Sequence, residues 1–134
     1  NLVRANAAKW NLKPASVGII GFSAGGNLAA LMGLTAPASA RPDFLVLAYP
    51  ALPKSLGNLA ASVPPTFLVH ADDDRLAPAD HSVPFYLALK KAKIPAELHV
   101  YSSGGHGFGI RKTNHTAAGW PAALQAWLAE RLSR

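Results

Sequence analysis

The sequence predicts an α/β fold with about four mostly parallel strands and flanking helices, and two observations predict it. Short runs that are apolar at nearly every position alternate along the chain with longer stretches whose apolar residues recur at helical spacing. Strands that are apolar on both faces are typical of a parallel sheet covered by helices on both sides. The alternation of strand with helix then implies right-handed crossover connections and an open, twisted sheet.

Four segments carry the strand pattern. Three of them are almost wholly apolar, whereas the fourth alternates between apolar and polar residues and is therefore expected to be an outer strand. In chain order they comprise residues 17–22, 44–48, 66–70 and 96–101.

Four segments carry the helical pattern, the first of them weakly: residues 2–10, 24–34, 83–93 and 120–132. Pro121 lies in the first turn of the last helix, where its missing N–H is harmless. Ser82 is expected to cap the helix that follows it. The connection over residues 51–63 has no clear period and is expected to form a reduced lid or a single helical turn.

Size and composition limit the class of protein. The chain has 134 residues, which corresponds to one domain over residues 1–134. Hydrophobic residues make up 50% and charged residues 15%, which excludes a mainly disordered chain. No run approaches the roughly 18 apolar residues of a membrane helix, so no membrane partner is expected. The chain starts at Asn1 without a signal-peptide pattern, so a targeting segment is expected to be absent or removed.

The absence of cysteine excludes disulfides, thiolate zinc sites and cysteine nucleophiles, and it leaves the cellular compartment undecided. A net charge of +6 would suit a nucleic-acid binder. However, the basic residues are scattered, and the one tight group, Lys90, Lys91 and Lys93, closes a helix where cations suit the dipole. A solvated basic surface is therefore expected, with no nucleic-acid partner.

A G-x-S-x-G motif, residues 21–25, lies where an apolar strand ends and an apolar helix begins. In this context Ser23 is expected to project from a sharp, strained turn, as a nucleophile does. The N–H of Ala24 opens the helix and can face an oxyanion. The alternative is a chance glycine-rich turn, which in some α/β folds binds phosphate.

A serine hydroxyl needs a base to take its proton, and an oriented histidine is the usual solution. Of the 5 histidines, His106 lies in a glycine-rich loop just after the last strand and is the favoured base. His70 and His99 lie in strands, where structural roles are expected. His81 and His115 are expected at the surface.

The third strand is followed by three adjacent carboxylates, Asp72, Asp73 and Asp74. One of them is expected to orient the histidine. Three acids could instead form a cation site. Oxygen-ligand motifs, however, space their carboxylates along a loop with a glycine turn, which is missing here, so no metal is expected.

These motifs, in this order, resemble the α/β-hydrolase superfamily and, within it, carboxylesterases related to feruloyl and acetyl-xylan esterases, often called dienelactone-hydrolase-like. The resemblance covers essentially the whole chain: residues 21–30, 41–50, 64–70, 103–109 and 120–132 resemble successive segments of these enzymes. In the family pattern H-G-x-x-D-x-x-V-P the fifth residue is the acid. The resemblance therefore favours Asp74 over Asp73.

The chain departs from this family at its front, because the first strands and the H-G-G-type loop would precede Asn1. The resemblance thus implies a truncated α/β-hydrolase, the C-terminal half of the fold. The strand before Ser23 would then have a bare, apolar edge, for which a homodimer or another covering partner is expected. The oxyanion hole would keep only the Ala24 donor, so slow turnover is expected. The short connection over residues 51–63 implies an open cleft.

The expected function is a serine carboxylesterase that hydrolyses small acyl esters through an acyl-enzyme, with Ser23 as nucleophile, His106 as base and Asp74 as orienting acid. No metal or organic cofactor is needed. The alternatives are a non-catalytic half-hydrolase or interaction module with an inherited triad, or a peptidase or thioesterase that uses the same triad. The pocket walls are expected to draw on three apolar residues, with core packing as the alternative role for each: Tyr49, Leu52 and Phe108.

Overall fold

The computed structural model describes residues 1–53 and 59–133. Of the expected lid or helical turn over residues 51–63, residues 54–58 lie outside the described residues. Short 3-10 turns precede the third and fourth helices. The elements are α1 (Leu2–Ala5), β1 (Ile19–Phe22), α2 (Ala24–Thr35), β2 (Leu45–Ala48), β3 (Thr66–Ala71), α3 (Ser82–Lys91), β4 (Ala96–Tyr101) and α4 (Trp120–Leu132).

The described strands form one sheet in the order β1-β2-β3-β4, and every neighbouring pair is parallel. This confirms the predicted fold class. Ile19 pairs with Leu45, Leu45 with Thr66, and Thr66 with Ala96, so the strands start level with one another. Their carboxyl ends therefore meet at the same edge of the sheet, which is where ligands bind in open α/β folds.

Helices cover both faces of the sheet. Leu45, Leu47 and Leu68 pack on one face with residues of α2 and α3, including Phe85 and Leu89. The alternate residues of the same strands pack on the other face against α4: Val46, Phe67 and Val69 with Trp120 and Trp127. Every residue of β2 and β3 is buried, which explains why their sequences are apolar almost throughout.

β1 is an edge strand that pairs only with β2 in the described part of the chain. Ile20 is 48% exposed and Phe22 is 36% exposed, so β1 is not covered on both faces as its apolar run predicts. Leu28 and Leu31 of α2 are also exposed. The free apolar edge agrees with the one that the family resemblance implies. β4, the other edge strand, lies where its alternating pattern predicts.

Two local predictions are wrong at the helix ends. α1 ends at Ala5 rather than at residue 10, because the side chain of Asn6 donates to the Leu2 carbonyl and competes with the helical backbone. Ser82 does not cap α3 but forms its first residue, and its hydroxyl bonds to the ring of His70 instead.

None of the described helices has the length and apolar character needed to cross a lipid bilayer.

Candidate active site

Ser23 lies at the junction of β1 and α2 with φ 53° and ψ −120°. A non-glycine residue held there costs about 1–3 kcal/mol, so the surrounding structure must enforce the turn. Gly21 permits it, since a Cβ on Gly21 would lie only 2.1 Å from the Gly25 carbonyl oxygen. The Ser23 N–H donates to the Ala48 carbonyl at 2.9 Å, which anchors the turn to β2. The strained strand-to-helix turn expected of the motif is therefore present.

The N–H of Ala24 is the first of α2. The first N–H groups of a helix have no partner within the helix and lie at the positive end of its dipole. This N–H can therefore stabilise negative charge that develops beside Ser23.

Ser23, His106 and Asp74 meet at the carboxyl edge of the sheet, as the sequence leads us to expect. The Ser23 Oγ lies 2.8 Å from the His106 Nε2, and the His106 Nδ1 lies 2.8 Å from the Asp74 Oδ2. Because an ionised carboxylate can only accept, Nδ1 carries the proton, and this N–H donates a hydrogen bond to Asp74. Nε2 is then free to accept the serine proton, which is the arrangement that activates a hydroxyl as a nucleophile.

Asp74 is 3% exposed and ionised. Burial by itself raises the pKa of this carboxyl, but hydrogen bonds from the Ala77 N–H, the His106 ring and the Leu76 N–H outweigh it and hold the pKa below its ordinary value. The two backbone N–H groups both bond to Oδ1, at 2.9 and 3.0 Å, which leaves Oδ2 for the histidine. The carboxylate is thus charged and fixed in orientation.

The histidine loop, residues 104–109, is closed at its base by the Ala117 N–H, which donates to the Ser103 carbonyl at 2.9 Å. Tyr49 packs its ring edge against the ring of His106, with centroids 5.1 Å apart, and Phe108 packs against Tyr49 at 4.6 Å. Both aromatic side chains are buried. They therefore act as core beneath the imidazole. Leu52 is also buried, in the hydrophobic cluster on the face of the sheet that α2 and α3 cover.

Residues 2–130 match the family described as the Dienelactone hydrolase family. The chain belongs to the dienelactone hydrolase family. It is 32% identical over 140 residues to the acetylxylan esterase of Xylanibacter ruminicola, an alignment that covers 81% of this chain and 29% of that protein. The chain therefore spans less than a third of the length of this curated relative.

Solved structures agree with this family assignment. An acetyl ester-xyloside bifunctional hydrolase from Caldicellulosiruptor lactoaceticus superposes with a TM-score of 0.85 at 30% identity, over 96% of this chain and 61% of that one. An α/β-hydrolase from a Medee basin deep-sea metagenome library gives a TM-score of 0.83 at 28% identity, over 99% and 61%. The predicted α/β-hydrolase fold is confirmed.

His70 lies directly behind the acid in this member of the dienelactone hydrolase family. Its Nε2 is 2.6 Å from the Ala77 carbonyl, which can only accept, so Nε2 carries the proton and Nδ1 accepts from the Ser82 hydroxyl at 2.8 Å. The same Nε2 is 3.6 Å from the Asp74 Oδ2. His70 is buried, as its place in a strand predicts, but its position beside the acid was not predicted. The first and fifth positions of the family pattern could have indicated it.

The remaining histidines lie outside this hydrogen-bonded group. His99 bonds to Glu97 at 2.6 Å on β4, and His115 is exposed as expected. The expected surface position of His81 is wrong, because its ring is half-buried and donates to the Leu52 carbonyl. In residues 1–53 and 59–133, no three histidine, aspartate or glutamate side chains are grouped so as to hold a metal ion.

Acid should destabilise the fold through His70. Burial lowers the pKa of His70 below its ordinary value of 6.5, so the unfolded chain takes up this proton at a higher pH than the folded chain does. The contribution of His70 to the free energy of unfolding should therefore be fully present above about pH 6.5 and be lost as the pH decreases below it. The lowered pKa of Asp74 adds a further loss below about pH 4.

Urea unfolding followed by circular dichroism at about pH 7.5 and about pH 5.5 measures this difference. His70→Gln should unfold with a smaller pH dependence than the wild type, whereas the exposed control His115→Gln should keep the wild-type dependence. Equal pH dependence in His70→Gln and the wild type would contradict the assignment.

Proposed function

We propose that this chain is a serine carboxylesterase that hydrolyses small acyl esters through an acyl-enzyme. The observation that carries the proposal is the unbroken relay from the Ser23 Oγ to the His106 Nε2 and from the His106 Nδ1 to the Asp74 Oδ2, each step 2.8 Å long. The strained turn at Ser23 and the position of the Ala24 N–H at the start of α2 support the same interpretation.

In the acylation step the Ser23 Oγ attacks the ester carbonyl carbon while its proton passes to the His106 Nε2. The carbonyl oxygen takes up the electron pair as an oxyanion and accepts from the Ala24 N–H. Asp74 stabilises the imidazolium through the Nδ1–H. When the tetrahedral intermediate collapses, the Nε2 proton passes to the leaving alcohol, and the acyl group stays bonded to Ser23.

In the deacylation step a water molecule attacks the acyl carbon and gives its proton to the His106 Nε2. The second tetrahedral intermediate expels the Ser23 oxygen, which recovers that proton, and the carboxylic acid leaves. The enzyme returns to its starting state with one ester bond and one water consumed.

One oxyanion donor, the Ala24 N–H, is assigned in this mechanism. Removal of a single donor from an oxyanion hole typically costs about 10² to 10³ in turnover. We therefore expect slow turnover wherever no second donor reaches the oxyanion.

Acetyl esters, and among them acetylated sugars, are the proposed substrate class. This part of the proposal rests on the relatives, which are an acetylxylan esterase and an acetyl ester-xyloside hydrolase. The test is release of p-nitrophenolate from p-nitrophenyl acetate by the wild type and by Ser23→Ala. Turnover that depends on Ser23 supports an esterase, whereas equal rates would leave the chain as a non-catalytic module with an inherited triad.

We propose that a second copy of the chain covers the free edge of β1 as a homodimer. The proposal is supported by the outer edge of β1, which pairs with no strand in residues 1–53 and 59–133, and by the exposed apolar side chains of Ile20, Phe22 and Leu28 beside it. Light scattering at tens of micromolar protein and about 0.15 M salt, where surface charge is screened, should give the mass of two chains.

Ile20→Lys should convert this dimer to a monomer, because it places a charge on the edge strand. The matched control is Leu87→Lys on α3, which is 59% exposed and should leave the mass unchanged. A wild-type mass of one chain would overturn the homodimer.

A further inference from the structure

The loop after β3 carries two adjacent carboxylates that contact different parts of the histidine loop. Asp74 bonds to the ring of His106, whereas the Asp73 Oδ1 accepts the backbone N–H of Gly105 at 2.7 Å. We propose that Asp73 is a positioning residue, which fixes the backbone that carries His106 and thereby the ring. The inference rests on the proposed esterase function.

The histidine loop has a glycine on each side of His106, so side chains restrict its backbone little and a tether has an effect there. Gly105 has φ +61° and Gly107 has φ +79°, and a Cβ at either position would meet no atom within 4 Å. Glycine at positive φ in open space restricts the chain little. Packing in this segment therefore acts on the His106 ring, which lies against Tyr49, and hardly at all at the two glycines.

The fixed points of the loop lie just outside this segment. A Cβ on Gly104 would lie 2.7 Å from the Ala117 Cβ, so the chain is tightly packed there. Phe108 is 9% exposed and packs against Tyr49. Between these points His106 and Gly107 form a turn, and the Gly105 N–H that precedes the turn donates to Asp73.

Asp73 suits this role chemically. A carboxylate that accepts a backbone N–H makes a short, charge-assisted bond, as the 2.7 Å distance shows. Asp73 and Asp74 are neighbours in sequence. The same loop therefore holds both the backbone next to His106 and the His106 ring. A shift of about 1 Å at a catalytic group costs up to about 10²-fold in rate. Loss of the bond between Asp73 and Gly105 should therefore lower kcat measurably.

Three variants separate this role from a general effect of charge. Asp73→Ala removes the acceptor, Asp73→Asn keeps an amide oxygen that can accept the Gly105 N–H, and Asp72→Ala removes a neighbouring charge. Asp72 is exposed, and in the described residues its side chain makes no hydrogen bond. This makes it a matched control.

For p-nitrophenyl acetate we expect Asp73→Ala to lower kcat about tenfold with KM unchanged, Asp73→Asn to recover most of the loss, and Asp72→Ala to stay within about twofold of the wild type. Asp73→Ala with the kcat of Asp72→Ala would overturn the proposal, as would Asp73→Asn as slow as Asp73→Ala. Wild-type turnover equal to that of Ser23→Ala would instead show that the esterase function itself fails.

A measurement that does not depend on turnover is the proton NMR signal of the His106 Nδ1–H, assigned by its loss in His106→Ala. Its bond to Asp74 slows the exchange of this proton with water. In Asp73→Ala the signal should broaden by faster exchange, while Asp73→Asn and Asp72→Ala should keep the wild-type line. An unchanged line in Asp73→Ala would overturn the positioning role.

Discussion

Ser23→Ala should lower the turnover of p-nitrophenyl acetate by about 10⁴-fold or more, to the background set by the remaining groups. The hydroxyl that bonds to the His106 Nε2 at 2.8 Å is the one nucleophile in the proposed mechanism. Its loss removes covalent catalysis altogether, and only the Ala24 N–H is left to stabilise an oxyanion when water attacks directly. The measurement is steady-state kinetics with matched protein concentrations.

The fold should survive this substitution, because alanine occupies the strained φ of 53° no worse than serine does. Thermal unfolding of Ser23→Ala should therefore resemble that of the wild type. Ser39→Ala, at an exposed serine, is the matched control and should keep full activity. Substantial activity in Ser23→Ala would place the nucleophile elsewhere.

Asp74→Asn should lower kcat by about 10⁴-fold while the fold is kept. The substitution presents an amide to the His106 Nδ1 in place of a carboxylate, because the two backbone N–H groups of Leu76 and Ala77 already bond to Oδ1 and keep an oxygen there. An amide N–H can only donate, so the ring must carry its proton on Nε2. In that tautomer it cannot accept the proton of Ser23.

The neighbouring carboxylate provides the comparison for this prediction. Asp73→Asn should keep most of the activity, since an amide oxygen can still accept the Gly105 N–H. Kinetics of the two variants side by side decide which aspartate orients the histidine. A larger loss in Asp73→Asn than in Asp74→Asn would reverse the assignment.

The sheet could be predicted from the sequence because strands buried on both faces require apolar residues at nearly every position. Every residue of β2 and β3 is buried, and their segments are correspondingly apolar. The exposure of Ile20 in β1 could not be predicted in the same way. An apolar run does not say which strand lies at the edge, which depends on partners far away in the chain. That edge was indicated only by the family resemblance.

The meeting of Ser23 and His106 with the aspartate-rich loop could be predicted because each follows a strand, and parallel strands end at one edge. The choice of Asp74 among the three aspartates came from the family resemblance. The supporting contacts could not be predicted. The bond from Asp73 to Gly105 and that from His70 to the Ala77 carbonyl depend on loop backbone conformations that leave no periodic signal. α1 was overpredicted for a similar reason, since a local side-chain bond at Asn6 overrides the helical pattern.

The central claim, that Ser23 is a nucleophile activated by His106, is tested most directly by labelling with a fluorophosphonate. Intact-protein mass spectrometry should show one label per chain, and peptide mapping should find it on Ser23. The label should be lost in Ser23→Ala and should form far more slowly in His106→Ala. An unlabelled wild type, or a label that persists in Ser23→Ala, would contradict the account.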